Sequence, residues 1–321
     1  ADSLSRIAED GAKGFYQGPL AEQIVNAVQH ASINPGRLNL KDMQTYQPVK
    51  REPLCGDYKV YRVCGMAPPS SGGVAILQTL GMLEPFELEQ YQPNSLEALH
   101  LFTQASRLAF ADREAYVADS DFTGLDMQPL LDEKYLSERA SLIEKDQDMG
   151  MALAGTPYTE SALTAGQAYD LPNTSHIAIV DSKGNAVSMT SSIEMAFGSG
   201  LMVGGFLLNN QMTDFSFIAE KNGKPVANRI EPGKRPRSSM APAMVFGSDG
   251  ELYLVVGPPG GSRIINYVTQ TLIGVLDWKL DIQQAINLPK SLIVTIIRPW
   301  RKAPHWQSSL KSLKSGVMMS R

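Results

Sequence analysis

The chain has 321 residues, of which 43% are hydrophobic and 19% are charged, which is ordinary for a folded protein of one large or two small domains. Its 29 Lys and Arg and 33 Asp and Glu give a formal net charge of −4, which argues against a dedicated nucleic-acid-binding protein. No apolar run approaches the roughly 20 residues that a membrane-spanning helix needs. The opening residues ADSLSRIAED predict the start of a helix rather than an export signal.

The N-terminal segment predicts helices followed by a hairpin. Apolar residues recur at helical spacing through 1–31. A tight hairpin is predicted over 48–67, centred near Lys59-Val60, and it would place Cys55 opposite Cys64. The two cysteines are then either a disulfide, which would favour an oxidising compartment, or two small buried thiols.

Two further helices and a long loop complete the first half. A Pro- and Ser-rich turn at 68–73 precedes a helix predicted from Val74 to Leu83. Ser95 is placed to cap a long helix, whose apolar stripe is most simply explained by core packing. The polar segment 145–173 predicts an exposed loop or linker.

The sequence becomes rich in strands at residue 174, and one more helix follows. This order of elements favours a layered α+β domain, for example αββα. The predicted elements are two strands at 174–180 and 186–193, a strand at 206–211 ending in amides, a buried strand at 252–256, and an apolar helix at 263–278.

The C-terminal segment has an unusual composition. Between Ile282 and Arg321 there is no Asp or Glu, but there are seven Lys or Arg. A strand is predicted at 291–297, followed by a basic tail containing Trp. The tail is either a solvated cationic segment or a segment translated in a shifted frame, and no function is assigned to it.

Thr174 is a candidate nucleophile because it follows the polar loop and starts a strand. If the Asn173–Thr174 bond were cut, Thr174 would carry a free α-amine beside its own hydroxyl. An α-amine has a pKa of about 7.7–8.0, so it could accept the hydroxyl proton at neutral pH. The alternative is simple, since threonine commonly starts a strand.

Two other segments could complete a site for acyl transfer. The turn Gly257–Gly261 lies between a strand and a helix, so the N–H groups of Gly260 and Gly261 could hold an oxyanion. Asn209, Asn210, Gln211 and Asp214, with Ser238 and Ser239, offer groups suited to an amino-acid head group. Each segment has a simpler explanation: the glycines form an ordinary strand-to-helix turn, and the polar side chains satisfy the backbone of turns.

Taken in order, these motifs resemble the gamma-glutamyltransferase (gamma-glutamyltranspeptidase) family. The resemblance covers roughly residues 1–289. The matching segments are 66–73, 109–113, 174–176, 180–187, 197–200, 207–216, 234–240 and 257–264.

The resemblance implies an incomplete N-terminal nucleophile hydrolase fold, an α+β four-layer αββα sandwich. The precursor would cut itself at Asn173–Thr174, giving 1–173 from the large subunit and 174–321 as the small subunit, with an atypical tail at 290–321, and both parts would form one domain. Thr174 would then take the γ-glutamyl group from glutathione or another γ-glutamyl compound. Water, an amino acid or a dipeptide would accept it. Neither a metal nor a cofactor is implied, and a periplasmic or extracellular location is expected.

The resemblance also assigns residues to roles. Gly260 and Gly261 would form the oxyanion hole, and the Ser192 hydroxyl would bond the nucleophile. The substrate α-amine and α-carboxylate would be held by two groups of side chains: Glu194, Gln211 and Asp214 for the amine, and Ser238 and Ser239 for the carboxylate.

Three departures from the family pattern are visible. The family's large subunit begins before Ala1, and the part not matched includes an Arg that pairs with the substrate carboxylate. The segment between Asp214 and Ser238 is short and contains no Tyr, which implies an open site. Residues 290–321 do not resemble the family's C-terminus.

Two alternatives follow. One is a cephalosporin acylase of the same superfamily, which would accept a glutaryl group. Glu194 and Asp214 argue against it, because they would lie unpaired beside a group without an amine. The other is an inactive truncated remnant.

Overall fold

A computed structural model describes residues 2–159, 162–166, 173–292 and 318–319. Its contacts divide the chain into a smaller unit, Ala1–Arg51 with Ser192–Gln211, and a larger unit, Glu52–Ser191 with Met212–Arg321. None of the described helices is long and apolar enough to cross a membrane. The predicted division at Asn173–Thr174 concerns chain cleavage, and it stays a prediction.

Runs of helices are followed by runs of strands, as expected of an α+β protein. The α-helices are α1 (Asp2–Asp10), α2 (Lys13–Tyr16), α3 (Gly18–Gln29), α4 (Leu40–Thr45), α5 (Gly72–Leu83), α6 (Leu96–Tyr116), α7 (Ser120–Thr123), α8 (Gln128–Leu131), α9 (Glu133–Ala140), α10 (Arg263–Leu276) and α11 (Ile282–Asn287). The strands are β1 (Leu54–Tyr58), β2 (Tyr61–Gly65), β3 (Ser175–Val180), β4 (Ala186–Ser191), β5 (Met202–Val203), β6 (Phe206–Leu207), β7 (Glu220–Lys221), β8 (Lys224–Pro225), β9 (Ala243–Phe246), β10 (Leu252–Val256), β11 (Ser291–Leu292) and β12 (Met318–Met319).

The smaller unit has its own apolar core around α3. Leu20, Ile24 and Val25 lie at helical spacing on one face of α3 and pack with Met43 of α4 and Val203 of β5. This amphipathic pattern is why the sequence identifies the helices of residues 1–31, and that prediction is confirmed.

The larger unit is built on an antiparallel sheet with the strand order β1-β2-β9-β10. Helix α5 packs on β1 and β2 and contacts both α6 and α10. All α5 residues except Gly81 are buried, because the helix is apolar on every side. Helix α6 begins where predicted, since the Ser95 side chain accepts a hydrogen bond from the Ala98 N–H.

The hairpin β1–β2 carries the disulfide that the sequence left open. Cys55 pairs directly with Cys64 across the two strands, and the two sulfurs are bonded. The alternative of two buried thiols is therefore wrong. The hairpin is also fixed at its turn, where the buried Tyr58 hydroxyl donates to Asp277 Oδ2 at 2.9 Å and Lys59 Nζ lies 2.6 Å from Asp277 Oδ1.

Several predictions need correction. Strand β10 is only half-buried, with Tyr253 50% exposed, because β10 is an edge strand rather than a central one. The strand predicted at 206–211 is two residues long, and the helix α11 was not predicted. The described parts of the predicted loop, 145–159, 162–166 and 173, contain no helix or named strand. Residues 293–297 of the predicted C-terminal strand lie outside the described residues.

Candidate active site

Thr174 lies immediately before β3 in the larger unit. It is half-buried, whereas Asn173 is exposed. The next residue, Ser175, pairs with Ser191 at the end of β4, so the β3–β4 ladder begins directly after the predicted cleavage bond. The ladder holds Thr174 at the end of an ordered strand and leaves the preceding bond accessible.

A histidine two residues after Thr174 contacts the glycine turn. His176 Nδ1 lies 2.9 Å from Thr190 Oγ1, which fixes the imidazole on the hairpin. A Cβ on Gly257 would lie 2.8 Å from His176 Nε2 and nearer still to two other ring atoms, so only glycine allows this approach. Burial lowers the pKa of His176 below its ordinary value, which favours the neutral ring.

The turn that follows Gly257 leads into α10. Gly260 and Gly261 have φ values of +137° and +61°, and L side chains rarely adopt the first of these. Their carbonyls accept hydrogen bonds from the N–H groups of Arg263 and Ile264. Among the described residues neither glycine N–H donates a hydrogen bond. Two N–H groups at the start of a 14-residue helix are suited to a developing oxyanion.

Ser238 and Ser239 lie in a turn that is bonded to the loop before α5. The Ser238 carbonyl accepts hydrogen bonds from both the N–H and the hydroxyl of Ser71, each at 2.8 Å. The Ser238 N–H donates to the Pro69 carbonyl at 3.0 Å. Ser239 is 6% exposed. Asp214, at the end of the short 3-10 helix Gln211–Asp214, is half-buried in the same unit.

The smaller unit contains the remaining predicted residues. The Glu194 N–H donates to Ser192 Oγ at 2.8 Å, and Glu194 Oε2 accepts from Asn210 Nδ2 at 2.6 Å. Glu194 is 4% exposed and has a φ of +73°, a strained backbone conformation for a non-glycine residue. The Oε1 atom of Gln211 is buried with no hydrogen-bond partner among the described residues, so it is an available acceptor.

The structure therefore brings the predicted residues together in groups. In the larger unit the Thr174 strand meets the glycine turn, and Ser238 adjoins Ser239. In the smaller unit Ser192 and Glu194 are bonded. The assignment of all these residues to one site stays a prediction.

The sequence singled out the segments 66–73, 109–113 and 174–176, but it gave no role to Ser71, Arg113 or His176. The sequence showed only a charged residue at the end of the apolar stripe of α6, and the burial of Arg113 is visible only in the structure.

The model of the gamma-glutamyltranspeptidase family matches residues 1–298, and the chain belongs to this family. The chain is 39% identical over 300 residues to the glutathione hydrolase proenzyme of Escherichia coli (strain K12), covering 90% of this chain and 49% of that protein. It is 32% identical over 292 residues to the acylase ACY 1 proenzyme of Pseudomonas sp. (strain SE83), again covering 90% and 49%. The chain thus spans about half the length of these curated relatives.

A solved structure agrees with the family assignment. The crystal structure of a cephalosporin acylase from Bacillus halodurans superposes with a TM-score of 0.78 at 28% identity, covering 92% of this chain and 50% of that chain. The predicted resemblance and the predicted α+β N-terminal nucleophile hydrolase fold are therefore confirmed. The family match also extends beyond residue 289, where the resemblance was expected to stop.

Proposed function

We propose that this chain belongs to a γ-glutamyltransferase that cuts itself between Asn173 and Thr174 and then transfers a γ-glutamyl group through a Thr174 ester. The contact of His176 with Gly257 carries this proposal. His176 is two residues after Thr174, and Gly257 is three residues before Gly260. Two residues of extended chain span roughly 7 Å and three span roughly 10 Å, so this contact supports a nucleophile in the same region of the larger unit as the oxyanion donors.

Self-cleavage would begin at the exposed Asn173. The Thr174 hydroxyl attacks the Asn173 carbonyl carbon, the C–N bond breaks, and the acyl group moves from nitrogen to oxygen. Water then hydrolyses the ester, which leaves a carboxylate on Asn173 and a free amine on Thr174. The accessibility of the bond ahead of an ordered strand supports this order of events.

The same hydroxyl would perform the transfer. The Thr174 α-amine accepts the hydroxyl proton as the oxygen attacks the γ-carbonyl carbon of the donor. The N–H groups of Gly260 and Gly261 stabilise the oxyanion, and the leaving amine takes the proton from the Thr174 ammonium as the bond breaks. Water or the amine of an amino acid or dipeptide then attacks the ester and releases Thr174. The Ser192 hydroxyl is proposed to bond the nucleophile.

The donor is proposed to be glutathione or a related γ-glutamyl compound. An α-amine would be recognised by Glu194, Gln211 and Asp214, and the buried, available Gln211 Oε1 supports this role. The α-carboxylate would be recognised by Ser238 and Ser239. The disulfide Cys55–Cys64 supports a periplasmic or extracellular location, where such bonds persist.

Intact-mass analysis of the purified protein tests the proposal. The wild type is expected to give two chains divided at Asn173–Thr174, and Thr174→Ala should stay whole because it lacks the attacking hydroxyl. Release of glutamate from a γ-glutamyl donor while the Asn173–Thr174 bond remains intact would refute the mechanism.

A glutaryl acylase is the second candidate, because an acylase proenzyme and a cephalosporin acylase structure are among the similar proteins. It would use Thr174 in the same way on a substrate without an α-amine. Rates on γ-glutamyl-anilide and glutaryl-anilide separate the two candidates. The Glu194 carboxylate favours the γ-glutamyl donor, because the α-amine of that donor is a cation and a glutaryl group has no amine at this position.

A further inference from the structure

A buried arginine lies directly behind the pair of serines proposed to hold the substrate carboxylate. Arg113, at the C-terminal end of α6, is 1% exposed. Its Nη2 donates to Ser239 Oγ at 2.7 Å and its Nε donates to Ser71 Oγ at 2.8 Å. One guanidinium thus connects α6, the start of α5 and the turn that carries Ser238 and Ser239.

The direction of these hydrogen bonds determines what the Ser239 hydroxyl can do. A guanidinium only donates, so Ser239 Oγ must act as its acceptor. Among the described residues the Ser239 hydroxyl has no acceptor of its own, so its proton remains available to a ligand. A hydroxyl whose oxygen is bonded to a cation is also a stronger donor, because the positive charge polarises the O–H bond.

The neighbouring Ser238 hydroxyl is held in the same way, with its oxygen as an acceptor and its proton available to donate. Ser238 Oγ accepts a hydrogen bond from the Met240 N–H at 3.0 Å, and among the described residues it too donates to nothing. Two adjacent hydroxyls that are both held as donors match the two oxygens of a carboxylate, which only accept. They match an amide or an ester less well.

The guanidinium itself is held in place by its other contacts. Arg113 Nη1 lies 2.5 Å from Glu114 Oε1, and Glu114 Oε2 accepts from Arg237 Nη2 at 2.8 Å. The Ser71 hydroxyl, which accepts from Arg113, donates to the Ser238 carbonyl. Arg113 is thereby prevented from turning toward solvent, and the turn at Ser238 is connected to it through Ser71.

We infer that Arg113 is a positioning residue for recognition of the donor α-carboxylate, acting through Ser239 and, by way of Ser71, through Ser238. This inference rests on the proposed function. It adds a residue that does not touch the substrate, that holds the Ser239 hydroxyl as a donor, and that fixes the turn carrying Ser238 through Ser71.

The test compares two donors on the purified protein. One is γ-glutamyl-p-nitroanilide, and the other is its analogue with the α-carboxylate replaced by a carboxamide. Arg113→Gln should lower kcat/KM for the first donor by about tenfold to a hundredfold, mainly through KM, and should change the second by less than about threefold. Arg113→Lys should recover part of the loss, because it keeps the charge but not the forked geometry.

Two further variants keep the inference falsifiable if Arg113→Gln folds poorly. Ser71→Ala removes the acceptor of Arg113 Nε. It should lower the ratio of kcat/KM for the carboxylate substrate to that for the carboxamide substrate, as Arg113→Gln does, but by a smaller factor. Arg139→Gln is the matched control, because Arg139 is another buried arginine, bonded to Asp112 rather than to the serines. Arg139→Gln should leave the ratio of kcat/KM for the two substrates unchanged. Circular dichroism melting and intact mass verify folding and self-cleavage for each variant.

The outcomes distinguish failure of this inference from failure of the proposed function. If the wild type turns over the carboxylate donor, but Arg113→Gln and Ser71→Ala lose kcat/KM equally on both donors, Arg113 is structural only and the inference is overturned. Unchanged kinetics in folded variants would overturn it as well. If the wild type turned over neither donor, the proposed function would fall, and this inference with it.

Discussion

Replacing Gly257 by alanine tests the contact between the nucleophile strand and the glycine turn. The new Cβ would lie 2.8 Å from His176 Nε2, a separation that real Cβ atoms essentially never show. The ring cannot swing aside freely, because His176 Nδ1 is bonded to Thr190 Oγ1 at 2.9 Å. Either the imidazole or the turn must therefore move.

The expected change in the free energy of unfolding has three contributions. Overpacking costs about 1–3 kcal/mol, and loss of the His176–Thr190 hydrogen bond costs about 1 kcal/mol. Alanine recovers about 0.5 kcal/mol by restricting the unfolded chain. We expect a net loss of about 1.5 to 3.5 kcal/mol in the free energy of unfolding, measured by urea denaturation. A displacement of about 1 Å at Thr174 should also lower kcat by roughly a hundredfold and slow self-cleavage.

Gly56→Ala in strand β1 is the matched control. Its Cβ would meet the Leu77 side chain, with the terminal Cδ2 nearest at 3.1 Å, and a methyl group shifts by a few tenths of an ångström more readily than an imidazole held by a hydrogen bond. We expect a loss below about 1 kcal/mol and no change in kcat. The double variant Gly257→Ala/His176→Ala should lose less than the sum of the two single variants, since the ring that clashes is absent. Stability and kcat equal to the wild type in Gly257→Ala would refute the reasoning. Strictly additive losses of unfolding free energy in the double variant would refute it as well.

Two further predictions concern the disulfide and the histidine. Joint replacement of Cys55 and Cys64 by serine should lower the free energy of unfolding by about 2.5 kcal/mol in non-reducing urea titrations, because a short loop is no longer closed in the unfolded chain, and equal stability of the two proteins would contradict this. Burial lowers the pKa of His176 below its ordinary value of 6.5. Just below that pH the unfolded chain therefore binds more protons than the folded one, so the free energy of unfolding should fall as the pH drops below about 6.5. His176→Asn should flatten this slope in urea titrations from pH 5 to 7, and an unchanged slope would show that other groups cause it.

The sequence alone identified much of the local structure and the family. The apolar spacing of α3 and α6, the capping Ser95 and the turn near Lys59-Val60 each depend on residues close together in the chain, so a local pattern specifies them. The motifs around Thr174 and Gly257–Gly261 likewise have a fixed order that can be read directly. The family assignment followed from that order, and the family model confirms it.

Only the tertiary structure decided what depends on distant parts of the chain. Whether β10 was central or at an edge and which residue lay behind Ser239 could not be read from neighbouring residues. Cys55 and Cys64 are only nine positions apart, and the sequence placed them opposite each other but left the bond between them open. Arg113 and Ser239 are 126 positions apart, and Tyr58 and Asp277 are 219 apart. Such contacts form because packing of the helices on the sheet brings these side chains into a space where a buried polar group must find a partner.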